Sequence, residues 1–156
     1  MRAKLSTLNP KLKTLLLTCA QFRKDCHRKH MNFPADLRYT AEHEWIKLVD
    51  GNVALVGITD YAQDQLGDVV FVEVNSVDQD LAANEVFGSV EAVKTVSDLF
   101  LPVAGKVVEV NESLNDNPDK VNTDPYGDGW IIKLELANPA DLDGLMDATA
   151  YEKLVG

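Results

Sequence analysis

Beyond residue 30 the chain contains no cysteine, and its only histidine there is His43. Without cysteine there is no disulfide framework, no thiol nucleophile and no thiolate metal set to organise the fold. No run of residues approaches the ~18 consecutive apolar positions of a membrane span. Cations are also scarce. Residues 31–156 carry seven Lys or Arg against 24 acids, a net −17, within a whole-chain balance of −10. That deficit excludes a nucleic-acid surface, which needs clustered Lys and Arg against phosphate, and an anionic membrane surface. It suits a soluble protein that meets basic patches on protein partners. Apolar residues make up 46% of 156 positions. That is enough for one domain burying about two thirds of its unfolded surface.

Residues 1–30 have the opposite charge, with eight Lys or Arg and one acid, Asp25, for a net +7. The boundary predicted at Met31 separates a basic, disordered leader from a patterned domain over 31–156. Cys19, Cys26, His27 and His30 match no common zinc spacing, so the leader is read as a tail. An Arg- and Lys-rich, acid-poor leader suits a mitochondrial transit peptide, which would place the protein in the matrix. Leu15-Leu16-Leu17 is too short for a secretory signal. The reading preferred here is that Met31 is the true start and residues 1–30 come from an upstream start codon, with a cytoplasmic protein as the result.

The body reads as many short strands with a few helices. Asp50-Gly51-Asn52 between Glu44–Leu48 and Val53–Val56 predicts a hairpin. Thr59–Leu66 predicts a two-turn helix, capped by Asp60 with Gln63 and closed by Gly67. Val69–Val74 is a β-branched strand, Asn75–Asn84 loops or turns, and Val86–Leu101 two strands with something between them. Pro102 and Gly105 turn the chain into Lys106–Val110. Residues 111–128 are mostly loop with a helical turn, and Trp130–Leu136 a strand. Asn138-Pro139-Ala140-Asp141 starts a helix with Leu142, Leu145 and Met146 on its apolar face. Ala148–Val155 is a second short helix. There is no βα alternation, so the expected class is mainly β, a small antiparallel barrel or sandwich with peripheral and C-terminal helices.

Lys94 stands out. It is the only Lys or Arg between Leu48 and Gly105, a stretch with ten acids. On composition alone the favoured reading is a lysine that blunts an exposed edge strand. The other is a lysine displayed for modification on a turn between two strands, its base anchored by Val90, Ala92, Val93 and Val96.

Four blocks, in order, bear on that choice. They are Tyr39-Thr40-Ala41-Glu42-His43-Glu44-Trp45; Gly57-Ile58-Thr59-Asp60-Tyr61-Ala62-Gln63 with Leu66-Gly67-Asp68; Glu91 through Leu99 with Pro102 and Gly105; and Val121-Asn122 with Pro125-Tyr126-Gly127-Asp128-Gly129-Trp130. Residues 32–155 resemble the H proteins of the glycine cleavage system. The resemblance implies a barrel-sandwich hybrid of the lipoyl- and biotinyl-carrier kind, with lipoate joined as an amide to Lys94 at a hairpin tip. It implies a carrier with no active site of its own. Its arm would take an aminomethyl group from glycine decarboxylase (the pyridoxal-phosphate P protein) to the tetrahydrofolate-dependent aminomethyltransferase (T protein). Dihydrolipoyl dehydrogenase (L protein) would reoxidise the arm, and a lipoate-attaching enzyme would install it. A monomer is expected.

In such proteins the loaded arm folds back into a cleft, and the acids of that cleft map onto Glu44 and Asp98. A third cleft position, often Ser, is Glu42 here. Tyr61 stands where His is often found, which puts a role for that position in doubt. His43 has no nucleophile beside it and reads as structural or cleft-lining, and Trp45 and Trp130 as core or cleft-wall aromatics. A biotin carrier would flank the lysine with Met, and a lipoyl domain of a 2-oxo acid dehydrogenase would put Asp before it; Val93 and Thr95 fit neither. A hydrolytic or redox enzyme would need a convergent catalytic set that the body lacks. A purely structural domain predicts an unmodified Lys94. Within the resemblance, a lipoate donor to other complexes is the alternative to glycine cleavage.

Overall fold

A computed structural model describes residues 31–156, so the predictions for Cys19, Cys26, His27, His30 and the rest of the leader lie outside the described residues. Among the described residues nine strands form two sheets. The larger has the order β1-β2-β3-β9-β8-β5, built from Arg38–Tyr39, Glu44–Asp50, Val53–Ile58, Ile132–Leu136, Gly105–Val110 and Asp80–Leu81. The smaller has the order β4-β6-β7, from Val69–Val74, Val86–Ala92 and Val96–Phe100. Every pairing is antiparallel. This is the mainly β sandwich expected, and among the described residues no helix is long and apolar enough to cross a membrane.

Alternation of side chains across a pleat is clearest in β9, where Ile132, Leu134 and Leu136 are buried. In β3 the residues Ala54, Val56 and Ile58 are buried, and from β9 Ile132, Leu134 and Leu136 meet them in one apolar core. The hairpin at Asp50-Gly51-Asn52 forms as predicted, with Gly51 at φ 50°. A second cluster gathers Leu37, Tyr39, Trp45 and Tyr151. There Tyr39 and Tyr151 stack at 4.8 Å, and Phe33 meets Tyr151 edge-on at 5.1 Å. Trp45 donates its indole N–H to the Pro125 carbonyl at 2.9 Å. Its ring lies over Gly57, where an added Cβ would sit 2.8 Å from it. Trp45 is therefore a core residue, and Trp130 packs against the same cluster.

Helix α1, Asp60–Leu66, departs from the prediction at its start: the cap is Thr59, whose Oγ1 accepts the Ala62 N–H at 3.2 Å. Asp60 is instead the first helical residue, and its Oδ1 accepts from Gln63 Nε2 at 2.6 Å. Gly67 closes the helix at φ 79°, a conformation in which glycine bears no Cβ penalty. Residues 111–128 hold two single turns, α2 (Ser113–Asp116) and α3 (Lys120–Thr123). Pro139–Gly144 follows its Asn138 cap and first-turn Pro as expected, but as a 3₁₀ helix. Leu145 and Met146 lie past its end, Leu145 on the main core and Met146 on the aromatic cluster. The last helix, α4 (Ala148–Val155), starts on an Asp147 cap.

Candidate functional site

The small sheet ends in the feature predicted to lie between two strands. β6 and β7 pair from Val86↔Phe100 to Glu91↔Val96, and the chain reverses through Val93, Lys94 and Thr95. The Ala92 N–H donates to the Thr95 carbonyl at 2.8 Å, closing the turn, and the Val93 N–H donates to the Asp68 carbonyl at 3.1 Å. The base of the tip is therefore fastened to the segment between α1 and β4. That segment is itself clamped by Asn122 on α3. Its Oδ1 accepts the Val69 N–H at 2.8 Å, and its Nδ2 donates to the Gly67 carbonyl at 2.8 Å and to Gln63 Oε1 at 3.0 Å.

Lys94 itself is exposed, between Val93 (72% exposed) and Val96 (61%). The ion pairs among the described residues are Lys47–Asp36, Lys106–Asp78 and Lys133–Glu109, so Lys94 is in none of them. An amine in solvent on a fastened turn, with no carboxylate to surrender, is suited to acylation.

Glu44 is placed in the opposite way. It opens β2 and is 2% exposed. Its Oε2 accepts from the Thr40 hydroxyl at 2.7 Å, and its Oε1 accepts the Phe100 N–H at 3.1 Å. Phe100 ends the edge strand β7, so Glu44 ties the β1–β2 turn to the small sheet. Burial pushes its carboxyl up to about 7, against the pull of those two bonds.

The residue before it, His43, sits in the left-handed region at φ 71°, a conformation that costs a non-glycine residue on the order of 1 kcal/mol. It is held there by its N–H donating to the Thr40 carbonyl at 3.2 Å and by its carbonyl accepting the Thr59 N–H at 3.0 Å. The ring is held too: Nδ1 lies 2.8 Å from the Tyr151 hydroxyl, which lies 2.8 Å from Thr59 Oγ1. Tyr61 leans over the imidazole at 4.8 Å between ring centres. Burial lowers the pKa of His43, with Glu42 opposing, and raises that of Tyr151 to about 12.

These side chains meet at one cleft of about 250 Å³. Glu44, His43 and Tyr61 line it, with Glu42 and Asp98 also on its boundary, so all three acids picked from the sequence are brought together. Ile58, Leu66, Val90 and Leu99 supply apolar wall. Asp98 is the third residue of β7, the strand that follows the Lys94 turn. Asn122 and Tyr151 are the supporting residues that the sequence reading missed. Among the described residues no group of His, Cys, Asp and Glu is arranged to hold a metal ion.

Residues 37–156 match the family described as Glycine cleavage H-protein. The chain is 62% identical to the glycine cleavage system H protein of Bacteroides fragilis over 125 residues, 80% of this chain and 98% of that protein. It is 64% identical to the glycine cleavage system H protein of Symbiobacterium thermophilum over 121 residues, 78% and 94% of the two chains. The crystal structure of a glycine cleavage system H protein from Mycobacterium marinum superposes with a TM-score of 0.69 at 40% identity, covering 78% of this chain and 97% of that one.

Proposed function

The chain belongs to the glycine cleavage H-protein family, and from that premise we propose that it is a carrier bearing lipoate as an amide on Lys94. It performs no catalysis itself. It moves the aminomethyl group left by glycine decarboxylation from the pyridoxal-phosphate decarboxylase to the tetrahydrofolate-dependent aminomethyltransferase. The observation that carries this reading is the exposed Lys94 on a fastened turn, whose following strand, β7, borders a cleft where three acids converge.

When attached, the lipoyl group supplies a dithiolane that cycles between disulfide and dithiol and receives the cargo. The rest is the work of the chain's own residues. Lys94 contributes the amide nitrogen and loses its charge. The Val93–Asp68 bond and the Asn122 clamp hold the root of the tether still, so that the far end samples a small volume at high effective concentration. Glu44 offers an amine cargo a carboxylate inside an apolar wall. Because its pKa lies near 7, a cation entering the cleft draws it into the ionised form. Asp98 and Glu42 supply further negative charge at the opening.

Intact-mass measurement and peptide mapping of protein from lipoate-replete cells test the assignment. One lipoyl group at Lys94 is expected, and an unmodified Lys94 there would sink the carrier reading. Glycine–bicarbonate exchange with the partner enzymes separates this role from lipoate donation to other complexes, because only the former supports exchange.

A further inference from the structure

Behind the cleft, Thr59, Tyr151 and His43 form a hydrogen-bonded chain with a definite direction. Thr59 and Tyr151 are both fully buried. Thr59 Oγ1 has two contacts: it accepts the Ala62 N–H at 3.2 Å and lies 2.8 Å from the Tyr151 hydroxyl. The Ala62 N–H is a donor only, so the Thr59 hydroxyl hydrogen has one acceptor, the Tyr151 oxygen. Left unpaired in a buried site, that hydrogen would carry its full desolvation penalty. With its oxygen accepting from Thr59, Tyr151 turns its own hydrogen to its other contact, His43 Nδ1 at 2.8 Å. Burial pushes the phenol up to about 12, so at neutral pH the hydrogen is present to be donated. Nδ1 is therefore the acceptor, and the neutral imidazole carries its proton on Nε2. No buried side-chain nitrogen or oxygen among the described residues lacks a partner. Nε2 has none, so it is open to solvent, on a ring that lines the cleft.

We propose that Thr59 and Tyr151 are positioning residues that lock His43 in the tautomer with Nε2 protonated, so that the imidazole in the cleft wall is disabled as a base toward the docked aminomethyl group. The inference deepens the carrier reading and rests on it. A neutral imidazole with an open basic nitrogen is the commonest general base near neutral pH. Here the basic nitrogen is Nδ1, engaged by the buried Tyr151 hydroxyl, and the open nitrogen is already an N–H. The reaction this prevents is loss of the cargo. A base takes a proton from the ammonium of S–CH2–NH3+. The freed nitrogen lone pair forms C=N as the C–S bond breaks, and its electron pair leaves on sulfur. Water adds to the iminium carbon, and the adduct separates into formaldehyde and ammonia. In sum, the loaded arm and water give thiol, formaldehyde and ammonium, with no oxidant or reductant. The acids that face His43 across the cleft, Glu42, Glu44 and Asp98, act the other way. As carboxylates they favour the charged ammonium and so keep the proton on nitrogen.

Two measurements on the full lipoylated chain test this. Long-range 1H–15N correlation at about pH 8, above the ordinary histidine range, reads which ring nitrogen holds the proton. Among the three histidines, His43 is the one whose signals vanish in His43→Asn, chosen because Asn tolerates the φ of 71°. Wild type should show Nε2 protonated and Nδ1 bare. A protonated Nδ1, or an even mixture of tautomers, would overturn the proposal. Tyr151→Phe keeps the buried ring and removes the hydroxyl, so in that variant the mixture should appear. The second measurement is formaldehyde release from the aminomethyl-loaded arm without partner enzymes. Tyr151→Phe should speed it about tenfold, less than a fully placed base contributes. Tyr151→Phe combined with His43→Asn should release no faster than His43→Asn alone. Acceleration that survives in the double variant would mean that the missing hydroxyl merely loosens the cleft, and unchanged release in Tyr151→Phe would give His43 no part in sparing the cargo; either result overturns the proposal. Should Tyr151→Phe unfold, Thr59→Val removes the donor that sets the chain's direction and carries the same two expectations. Failure of the lipoylated wild-type chain to take up an aminomethyl group is a separate result: it would remove the carrier reading and the protective role with it, whichever nitrogen holds the proton.

Discussion

At the corner where β1 turns into β2, the Glu44 carboxylate is almost out of reach of solvent and both its oxygens are engaged. At the tip between β6 and β7, Lys94 stands in water with no ion partner among the described residues. The small sheet links the two, since Glu44 accepts from Phe100 at the far end of β7, the strand that follows the Lys94 turn. The corner is bound tightly into the structure, through a buried carboxylate, a left-handed His43 and a tyrosine from the last helix. At the tip only the backbone is fastened, and the side chain is left free. A carrier needs both. A tether must be chemically accessible and unattached beyond its root, whereas a docking cleft must be preorganised so that its groups are in place before cargo arrives. Stability should therefore be sensitive at the corner and indifferent at the tip, and function sensitive at both.

The largest effect is expected at the tip. Lys94→Arg keeps the positive charge but removes the amine that can be acylated. Glycine–bicarbonate exchange should fall to background, while unfolding free energy should stay within about 0.5 kcal/mol of wild type, as for most exposed positions. Exchange activity retained by this variant would mean that the arm is carried elsewhere. A marked loss of stability would break the contrast between tip and corner.

At the corner the expected effect is on stability and depends on pH. Glu44 ionises near 7 in the folded chain because burial disfavours its charged form, against an ordinary value of 4.5. The folded state thus holds the proton more tightly than the unfolded state. The resulting stabilisation is complete below about pH 4.5 and is lost as pH rises through about 7. Glu44→Gln can keep both hydrogen bonds, with its carbonyl toward the Phe100 N–H and its amide toward Thr40, and has no proton to lose. Relative to this variant, wild type should lose up to about 3 kcal/mol between pH 4.5 and 8. Urea unfolding across that range measures it, and parallel profiles would show that Glu44 is not buried as a carboxyl. The same variant should release the aminomethyl cargo faster, and an unchanged release rate would remove Glu44 from the docking site.

The tip was more legible in the sequence than the corner. Val69–Val74 forms a strand over the residues expected, because a β-branched run bounded by turn residues carries its own signal. Lys94 drew notice as a lone cation, and its neighbours placed it between two strands. The two-residue strands Arg38–Tyr39 and Asp80–Leu81 carried no such signal, since pairing with Trp45 and Ile46 or Gly105 and Lys106 is what makes them strands. Thr59 displaced Asp60 as a helix cap because its hydroxyl reaches Ala62 N–H while Asp60 is occupied by Gln63. The acids Glu44, Asp98 and Glu42 were named by resemblance, but in a chain with 25 acids nothing local distinguishes a buried carboxylate from a solvated one. The His43–Tyr151 contact joins residues 108 apart, and Asn122 lies in a stretch read as loop. Both are tertiary facts with no periodicity to betray them.

Asn122 tests whether the tip is as well rooted as the corner. Asn122→Ala removes the acceptor for the Val69 N–H, which lies at a buried residue, and the donor to the Gly67 carbonyl. Unpaired buried groups of this kind cost about 2 kcal/mol in total stability. Hydrogen exchange at the Val93 N–H should accelerate by more than that of Trp45 or Ile46 in β2, because Val93 donates to Asp68, inside the released segment. Equal acceleration throughout would mean that Asn122 supports the fold generally and has no particular bearing on the tether.

The smallest effect concerns the far end of the corner's support. Asp147 caps α4 by accepting the Ala150 N–H at 2.8 Å, and α4 carries Tyr151, whose hydroxyl holds both His43 and Thr59. Asp147→Ala should cost about 1 kcal/mol, the usual worth of an N-cap. Fraying of the first turn loosens the tyrosine before it disturbs the sheets, because Tyr151 opens the second turn of a helix only eight residues long. The imidazole resonances of His43 should therefore shift and broaden in this variant, while the amides of β6 and β7 stay where they are. That split would show that the cleft corner is held from the C-terminal helix and the lysine tip is not. A uniform shift across both would join the two regions into one cooperative unit, and the division of labour between them would have to be sought in chemistry alone.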